Sequence, residues 1–217
     1  MIIRQAKGLG AFSLLAVTLG AAQAETFKVD VWADNWFVFY ANEQKIAEDS
    51  VSIMTERSFN AETFTFSPTL PVQLNFIVKD YKANNTGLEY IGTARQQMGD
   101  GGFIAQFTDT ATGKVVAVTN RQWTCLPIHQ APLNKSCARS SNPETSCDYA
   151  ETPPPSNWQS IDFNDSEWPA AVEYSEAQVR PKDGYNRIRW NSQAKLIWGQ
   201  DLETDNTLLC RLTLSTL

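Results

Sequence analysis

The hydrophobic and polar positions of this chain fall into short runs that predict β-strands. Phe27 to Val31 alternates between apolar and polar residues, and Trp36 to Tyr40 is a continuous aromatic and β-branched run. Both patterns are typical of strands, the first of a strand with one buried face. Four further runs have the same character: Thr63 to Phe66, Val72 to Val78, Phe103 to Thr108 and Val115 to Val118.

The end of the chain carries the clearest alternation. From Leu208 to Leu214 every second residue is leucine or cysteine, and the residues between them are Leu209, Arg211 and Thr213. This period of two predicts a half-buried strand, and no window of helical length repeats at about 3.6 residues. Short strands separated by Gly, Asn and Pro favour an all-β protein, an antiparallel β-sandwich of the jelly-roll kind, over a parallel α/β sheet.

Two longer segments interrupt the strands. Gly87 to Gly102 is punctuated by glycine, which predicts an excursion over the surface. Leu126 to Trp158 is rich in proline and contains two of the cysteines. Loops of that length are usually functional or disordered, and a disulfide within this one favours order.

Residues 1–24 have the features of an export signal. Arg4 and Lys7 form a basic start, Leu9 to Gly20 is a short apolar region, and Ala22 to Ala24 is an A-x-A cleavage site. The apolar region is shorter than the roughly 20 residues of a membrane-spanning helix, and no later segment reaches that length. An uncleaved N-terminal anchor is the alternative. We therefore expect residues 25–217 to form a single domain located in the periplasm, on the outer cell surface or in the medium.

The cysteines agree with export. All four lie after the signal segment, and an exported chain forms disulfides by default. Cys137 and Cys147 flank a polar stretch, which favours a local bond between them and leaves Cys125 to pair with Cys210. The alternative, a cysteine metal site, requires spacings such as C-x-x-C that are absent here.

Composition then limits the function classes. Apolar residues make up 42% of the chain and charged residues 19%, so the chain can bury a core. Seven Trp, eleven Phe and six Tyr accompany a single His, which excludes a centre built from several histidines. The net charge is −6, and −8 once Arg4 and Lys7 leave with the signal segment. This acidity excludes a generic nucleic-acid binder, which needs a basic face.

Several segments resemble, in the same order, one family of binding modules. Ala33 to Asn42 (ADNWFVFYAN) is similar to a hairpin of galactose-binding-like jelly rolls, and Asn157 to Ala171 is similar to their W-x-x-x-x-F-D-D-S-x-W-P-x-A segment. Gly101 to Ala105 with Val118 to Trp123 resembles their central hairpin, and Ile197 to Arg211 resembles their closing strand. Such modules stand in front of the catalytic domains of rhamnosidases and related glycosidases.

The resemblance implies a galactose-binding-like β-sandwich with its ligand site in the end loops. It implies a non-catalytic protein that recognises a glycan or another cell-envelope component, or else a glycosidase-associated module. The chain departs from the family at Glu43, where the family turn has Gly, and in inserted loops at 84–100 and 126–157. Asp165 and Ser166 are expected to cap a turn, with Trp168 packed in the core.

Motifs for catalysis are absent from the sequence. It contains no G-x-S-x-G elbow, Walker loop, H-E-x-x-H or EF-hand loop. One His and disulfide-bonded cysteines favour neither a Ser–His–Asp nor a Cys–His arrangement. A pair of carboxylates could hydrolyse glycosides, but nothing marks a particular pair. We therefore expect no enzymatic activity.

Trp123 and His129 are the candidate ligand-binding residues, on the edge of the long loop. His is the commonest transition-metal ligand, and Cu(I) accepts imidazole and sulfur. A Trp near a His on an exported, Trp-rich chain is similar to the methanotroph surface copper-binding proteins of the MopE and CorA type. That resemblance implies copper with His129 as a ligand and, because a second His is missing, Cys125, Met54 or Met98 as a substitute. The alternative is a packed Trp and an ordinary hydrogen-bonded His.

A structural calcium ion is a second candidate cofactor. Ca²⁺ prefers oxygen ligands, and Asp201 and Asp205 flank a turn near the end of the chain. The alternative interpretation is a solvated acidic turn without a metal.

Overall fold

A computed structural model describes residues 25–216, so the expected signal segment at residues 1–24 lies outside the described residues. The described residues form fourteen strands and two short α-helices. The strands are β1 (Phe27–Asp34), β2 (Trp36–Ala41), β3 (Gln44–Glu48), β4 (Phe59–Phe66), β5 (Val72–Lys79), β6 (Leu88–Glu89), β7 (Gln97–Met98), β8 (Gly102–Asp109), β9 (Val115–Val118), β10 (Thr124–Gln130), β11 (Ala150–Glu151), β12 (Val172–Tyr174), β13 (Leu196–Trp198) and β14 (Asp205–Leu214). The helices are α1 (Pro143–Ser146) and α2 (Glu176–Val179), and 3₁₀ turns lie at Lys135–Arg139 and Tyr185–Arg187.

The strands pair into two six-stranded antiparallel sheets. The first sheet has the order β12-β13-β8-β1-β4, with β9 also paired to β8. The second has the order β11-β10-β14-β5-β2-β3, and β6 forms a separate hairpin with β7. The chain passes from the first sheet to the second at Asn35, between β1 and β2. This architecture confirms the predicted all-β antiparallel sandwich.

Aromatic side chains from both sheets fill the space between them. Phe27 and Phe107 of the first sheet and Phe39 and Phe76 of the second are all buried. The ring of Phe39 lies 4.7 Å from that of Phe76 in its own sheet and 5.7 Å from that of Phe107 across the core. Burying such a ring contributes roughly 1.5–3 kcal/mol. The alternating runs of the sequence therefore mark the faces that meet in this core.

The outer face of the second sheet is covered as well. Leu209 and Arg211 lie on that face of β14 and are buried, although the alternation predicted a half-buried strand. Arg211 donates to the carbonyls of Ser160 and Phe163, and its Nη1 lies 2.8 Å from Oδ2 of Asp165. The segment that carries these partners therefore lies against the outside of the sheet.

Trp168 belongs to this outer layer rather than to the core between the sheets. Its ring packs against Phe163 at 5.6 Å and against Trp158 at 6.4 Å, and it is half-buried. The N–H of Ser166 donates to the side chain of Asn164 over 3.1 Å. The expected cap is thus supplied by Asn164, because the carboxylate of Asp165 binds Arg211 instead.

Both expected disulfides are present. Cys125 and Cys210 occupy directly paired positions of β10 and β14, with their Cα atoms 4.1 Å apart. Cys137 and Cys147 close the loop that follows β10. Disulfides fit an oxidising compartment outside the cytoplasm. No helix among residues 25–216 is long and apolar enough to cross a membrane.

The proline-rich segment begins as a strand and not, as expected, as a loop. β10 continues from Thr124 to Gln130, and its pairing with β14 shifts register after Pro127. On its other side β10 pairs with β11 only at His129 and Gln130. Pro127 has no N–H to donate, and a position without a strand partner on one side tolerates that loss.

Candidate functional site

Buried polar residues gather at the end of the sandwich where β1 and β5 finish and β14 begins. Asp34 is the last residue of β1, and Asp80 directly follows β5. The N–H of Asn35 donates to the carbonyl of Lys79 over 2.7 Å, and the N–H of Asp80 donates to the carbonyl of Asn206 over 2.9 Å. The first of these bonds ties the residue after β1 to the last residue of β5, which places Asp34 and Asp80 near each other.

Three carboxylates converge at this end and are called the aspartate cluster below: Asp34, Asp80 and Asp100. One oxygen of each lies within 4.8 Å of the other two. Asp34 is 0% exposed and Asp80 is 2% exposed, and neither carboxylate has a hydrogen-bond partner among the described residues. Nζ of Lys182 lies 2.9 Å from Oδ2 of Asp100 and 3.5 Å from Oδ2 of Asp34.

Burial and mutual repulsion disfavour the charged forms of these acids. Burial, and after it repulsion from Asp100, raises the pKa of Asp34 well above its usual range. Burial, and after it repulsion from Asp34, does the same to the pKa of Asp80. Burial also raises the pKa of the nearby Glu89 to about 7. The environment of the cluster therefore favours the protonated form of these acids.

A cleft of about 660 Å³ opens beside the aspartate cluster and shares Asp80 with it. Its volume lies in the range of small-molecule sites. Ile128 and Pro153 contribute apolar surface, while Lys82 and Glu151 contribute charge. The cleft therefore offers both stacking surface and hydrogen-bonding groups.

A second cleft, of about 360 Å³, shares Asn84 with the wall of the first. Tyr149 forms part of its wall and is 50% exposed. The ring of Tyr149 stacks on that of His129, with the ring centres 6.0 Å apart and the planes at 15°. The two clefts together are called the groove below.

His129 lies in the wall of the groove and is only 3% exposed. Its Nδ1 lies 3.0 Å from Oδ1 of Asn206, and its Nε2 has no hydrogen-bond partner among the described residues. Burial, and after it repulsion from Lys82, lowers the pKa of His129, so the ring is neutral at pH 7. With Nδ1 donating to Asn206, the buried Nε2 carries the lone pair and accepts hydrogen bonds or ligates a metal.

The structure does not bring Trp123 to His129. Trp123 is 0% exposed and packs in the core at 5.8 Å from the ring of Phe76. Its Nε1 donates to the carbonyl of Val118 over 2.9 Å. A fully buried ring with a satisfied N–H presents no face to a ligand, and Trp123 does not line the groove. As a correction to its candidacy as a ligand-binding residue, Trp123 is a core residue, which agrees with the alternative of a packed Trp.

The sulfur ligands expected beside His129 also lie elsewhere. Cys125 is in a disulfide and has no thiolate to offer a metal. Met98 packs against the Cys137–Cys147 disulfide, and Met54 is 75% exposed. Neither methionine lines the groove. Among the described residues, His129 therefore stands without a soft second ligand.

The acidic turn expected to hold calcium is occupied by protein partners. Asp201 lies 2.6 Å from Nζ of Lys135. Asp205 accepts hydrogen bonds from the side chain of Gln130 at 2.6 Å and from the N–H of Asp201 at 3.1 Å. Among residues 25–216, three carboxylates whose oxygens lie within 4.8 Å of one another are found at Asp34, Asp80 and Asp100, which come from three separate segments.

Comparison of the chain with known proteins finds no relative. The chain matches no protein-family model, and neither a curated protein nor a solved structure is significantly similar to it. The function is therefore inferred from the groove and the aspartate cluster.

Proposed function

We propose that this chain is an exported, non-catalytic binding protein that recognises a glycan, or a glycan-bearing component of the cell envelope, in the groove. The observation that carries the proposal is the groove itself, whose two clefts share Asn84 and have Tyr81 and Tyr149 in their walls. An elongated site with an aromatic ring in each half suits a ligand made of consecutive sugar rings.

The chemistry of the groove matches that of carbohydrate sites. Tyrosine offers an apolar face on which the C–H patches of a sugar ring pack, and Tyr149 is half-exposed. Asn84, Lys82 and Glu151 supply donors and acceptors for hydroxyl groups. The ring of His129 stacks on that of Tyr149 and would hold this platform in place.

Burial of the acids supports a non-catalytic role. Glycoside hydrolysis needs two carboxyl groups that flank the bond to be cleaved. The carboxylate oxygens of Asp34 and Asp80 are buried, so neither presents itself to a sugar ring. Chromogenic glycosides incubated with the purified protein test this part, because turnover would show a glycosidase instead.

The binding test is a titration of the purified protein with a set of oligosaccharides, followed by calorimetry. We expect Tyr149→Ala to weaken the best ligand about tenfold, because stacking is lost. His129→Gln is expected to weaken it as well. The matched control is Ile161→Ala, which trims another exposed apolar side chain outside the groove. Absence of any oligosaccharide binding, or an equal loss in the control, would count against the proposal.

Copper binding at His129 is the second candidate function. It is favoured by one observation, the buried Nε2 that carries a lone pair and has no protein partner among the described residues. Elemental analysis of protein purified from its native source without chelators tests this candidate. About one copper per chain, lost in His129→Ala, would replace the glycan proposal.

A further inference from the structure

We propose that Asp34, Asp80 and Asp100 bind a hard divalent cation of the Ca²⁺ type at the junction of the two sheets. This site is independent of the proposed glycan binding, although Asp80 borders both. The proposal rests on the geometry of the three carboxylates, on their missing partners and on the local charge.

The geometry fits the coordination sphere of calcium. One oxygen from each of the three aspartates lies within 4.8 Å of the other two. Ligands at about 2.3–2.6 Å from Ca²⁺ are separated by up to roughly 5 Å, so the three oxygens fit around one ion. All three are carboxylate oxygens, which Ca²⁺ and Mg²⁺ prefer over softer metals.

The missing partners are the independent sign of a ligand. All four carboxylate oxygens of Asp34 and Asp80 are buried; Asp34 is approached by Nζ of Lys182 at 3.5 Å, and neither oxygen of Asp80 has a partner among the described residues. Unpaired buried acceptors are rare in native proteins because each costs about 1–3 kcal/mol. Protonation of one carboxyl supplies a single donor, which leaves the remaining buried oxygens without one.

The charge balance points to a cation. Fully ionised, Asp34, Asp80 and Asp100 would carry three negative charges in one buried place, so all three can be ionised together only with added positive charge beside them. Lys182 is the cation paired with the cluster, and its side chain is 38% exposed. One partly solvated ammonium leaves an excess of negative charge in a buried place, which a divalent ion would neutralise.

The local backbone is shaped around the carboxylate of Asp80. A Cβ atom on Gly99 would lie 1.7 Å from Oδ2 of Asp80, so a larger residue there would displace this carboxylate. Asp100 follows directly and contributes the third carboxylate. The loop before β8 thus packs against Asp80 and places Asp100 in the cluster.

The test combines terbium luminescence with thermal unfolding of the purified protein. Trp198 packs against Gly101, the residue after Asp100, and would sensitise bound Tb³⁺. We expect saturable Tb³⁺ emission that Ca²⁺ displaces. The unfolding temperature is measured first in chelator and then with Ca²⁺ added in excess. We expect it to be higher in Ca²⁺ by about 5 °C or more.

Two variants separate a metal site from a structural acid cluster. Asp80→Asn is expected to lose the Ca²⁺-dependent rise yet to unfold at a higher temperature than the parent in chelator, because one buried charge is gone. Asp201→Asn, an acidic residue held by Lys135 outside the cluster, is expected to keep the full rise. The proposal is overturned if Ca²⁺, Mg²⁺ and Tb³⁺ all fail to bind the parent, or if Asp201→Asn loses the rise as Asp80→Asn does. If Asp80→Asn does not fold, Asp100→Asn, which is only partly buried, gives the same readout.

Discussion

Nδ1 of His129 and Oδ1 of Asn206 lie 3.0 Å apart, and this contact connects the groove to the aspartate cluster. The main-chain carbonyl of Asn206 accepts the N–H of Asp80, while its side chain orients the ring of His129. Asn206 is completely buried, so both contacts are fixed by the start of β14. The groove wall and the cluster therefore share one rigid support.

The titration of His129 predicts a loss of stability in mild acid. Burial lowers its pKa below 6.5, so the unfolded chain takes up a proton at a higher pH than the folded protein does. The stability due to neutral His129 is present above pH 6.5 and is lost as the pH falls through the lowered pKa. The free energy of unfolding of the parent, minus that of His129→Gln, should be constant above pH 7.5 and shrink below 6.5. A difference that stays constant down to about pH 5 would contradict the assignment.

Asp49 predicts a pH dependence of opposite sign. Burial raises its pKa from 3.8 to about 6, although Oδ1 accepts the N–H of Val51 at 2.9 Å. The folded protein binds this proton more tightly than the unfolded chain, so the charged form costs stability above pH 6 and the cost vanishes below 3.8. Asp49→Asn keeps the acceptor and should stabilise at pH 8 by at most about 3 kcal/mol, with no gain near pH 3.5.

The control for Asp49 is Asp109. Hydrogen bonds from Thr112 and Ala111 lower the pKa of Asp109, so its charged form favours folding. Urea unfolding at pH 8 should therefore show a loss of stability for Asp109→Asn and a gain for Asp49→Asn. The same sign for both variants would show that burial does not disfavour the charged form of Asp49.

The strands could be predicted because their side chains alternate or are uniformly apolar. The runs from Phe27, Trp36, Val72 and Phe103 all became strands of the sandwich. β10 was missed because Pro127 is normally a strand breaker, and only the tertiary arrangement shows that its lost N–H has no strand partner. The burial of Arg211 was also missed, since a charged residue in an alternating pattern predicts a solvent-facing position.

The candidate site could be predicted only in part. His129 was singled out by residue type, and its position in the groove wall comes from the pairing of β10 with β14. Asp34 and Asp80 each end an apolar strand, which is a weak signal, because acids at strand ends are usually solvated. Their meeting depends on the passage of the chain between the sheets at Asn35, which no local pattern encodes. Trp123 is the opposite case, because its residue type and its position near His129 in the sequence suggested ligand binding, whereas its ring packs in the core.

The two disulfides should contribute unequally to stability. Cys125 and Cys210 are 85 residues apart in the sequence, and Cys137 and Cys147 are 10 residues apart. Loop-closure entropy gives about 4.6 kcal/mol for the longer loop and about 2.7 kcal/mol for the shorter one. The double variant Cys125→Ala/Cys210→Ala should therefore lose about 2 kcal/mol more than Cys137→Ala/Cys147→Ala in urea unfolding. An equal loss, or a larger loss for the shorter loop, would show that strain or residual structure outweighs the entropy.

The ion pair between Arg211 and Asp165 should anchor the outer layer of the second sheet. Arg211 is 1% exposed and also donates to the carbonyls of Ser160 and Phe163, so its removal leaves several groups without partners. We expect Arg211→Met to cost about 3 kcal/mol of unfolding free energy. The control is Arg121→Met, because the side chain of Arg121 is 79% exposed and its pairing with Glu173 is 3.5 Å long. Its loss should change stability by about 0.5 kcal/mol or less.

Tryptophan fluorescence separates detachment of the outer layer from unfolding of the whole domain. Trp158 and Trp168 lie in the outer layer, so its detachment would shift their emission before the core unfolds. Equal costs for the two arginine variants would mean that the outer layer is held by its aromatic packing and not by Arg211.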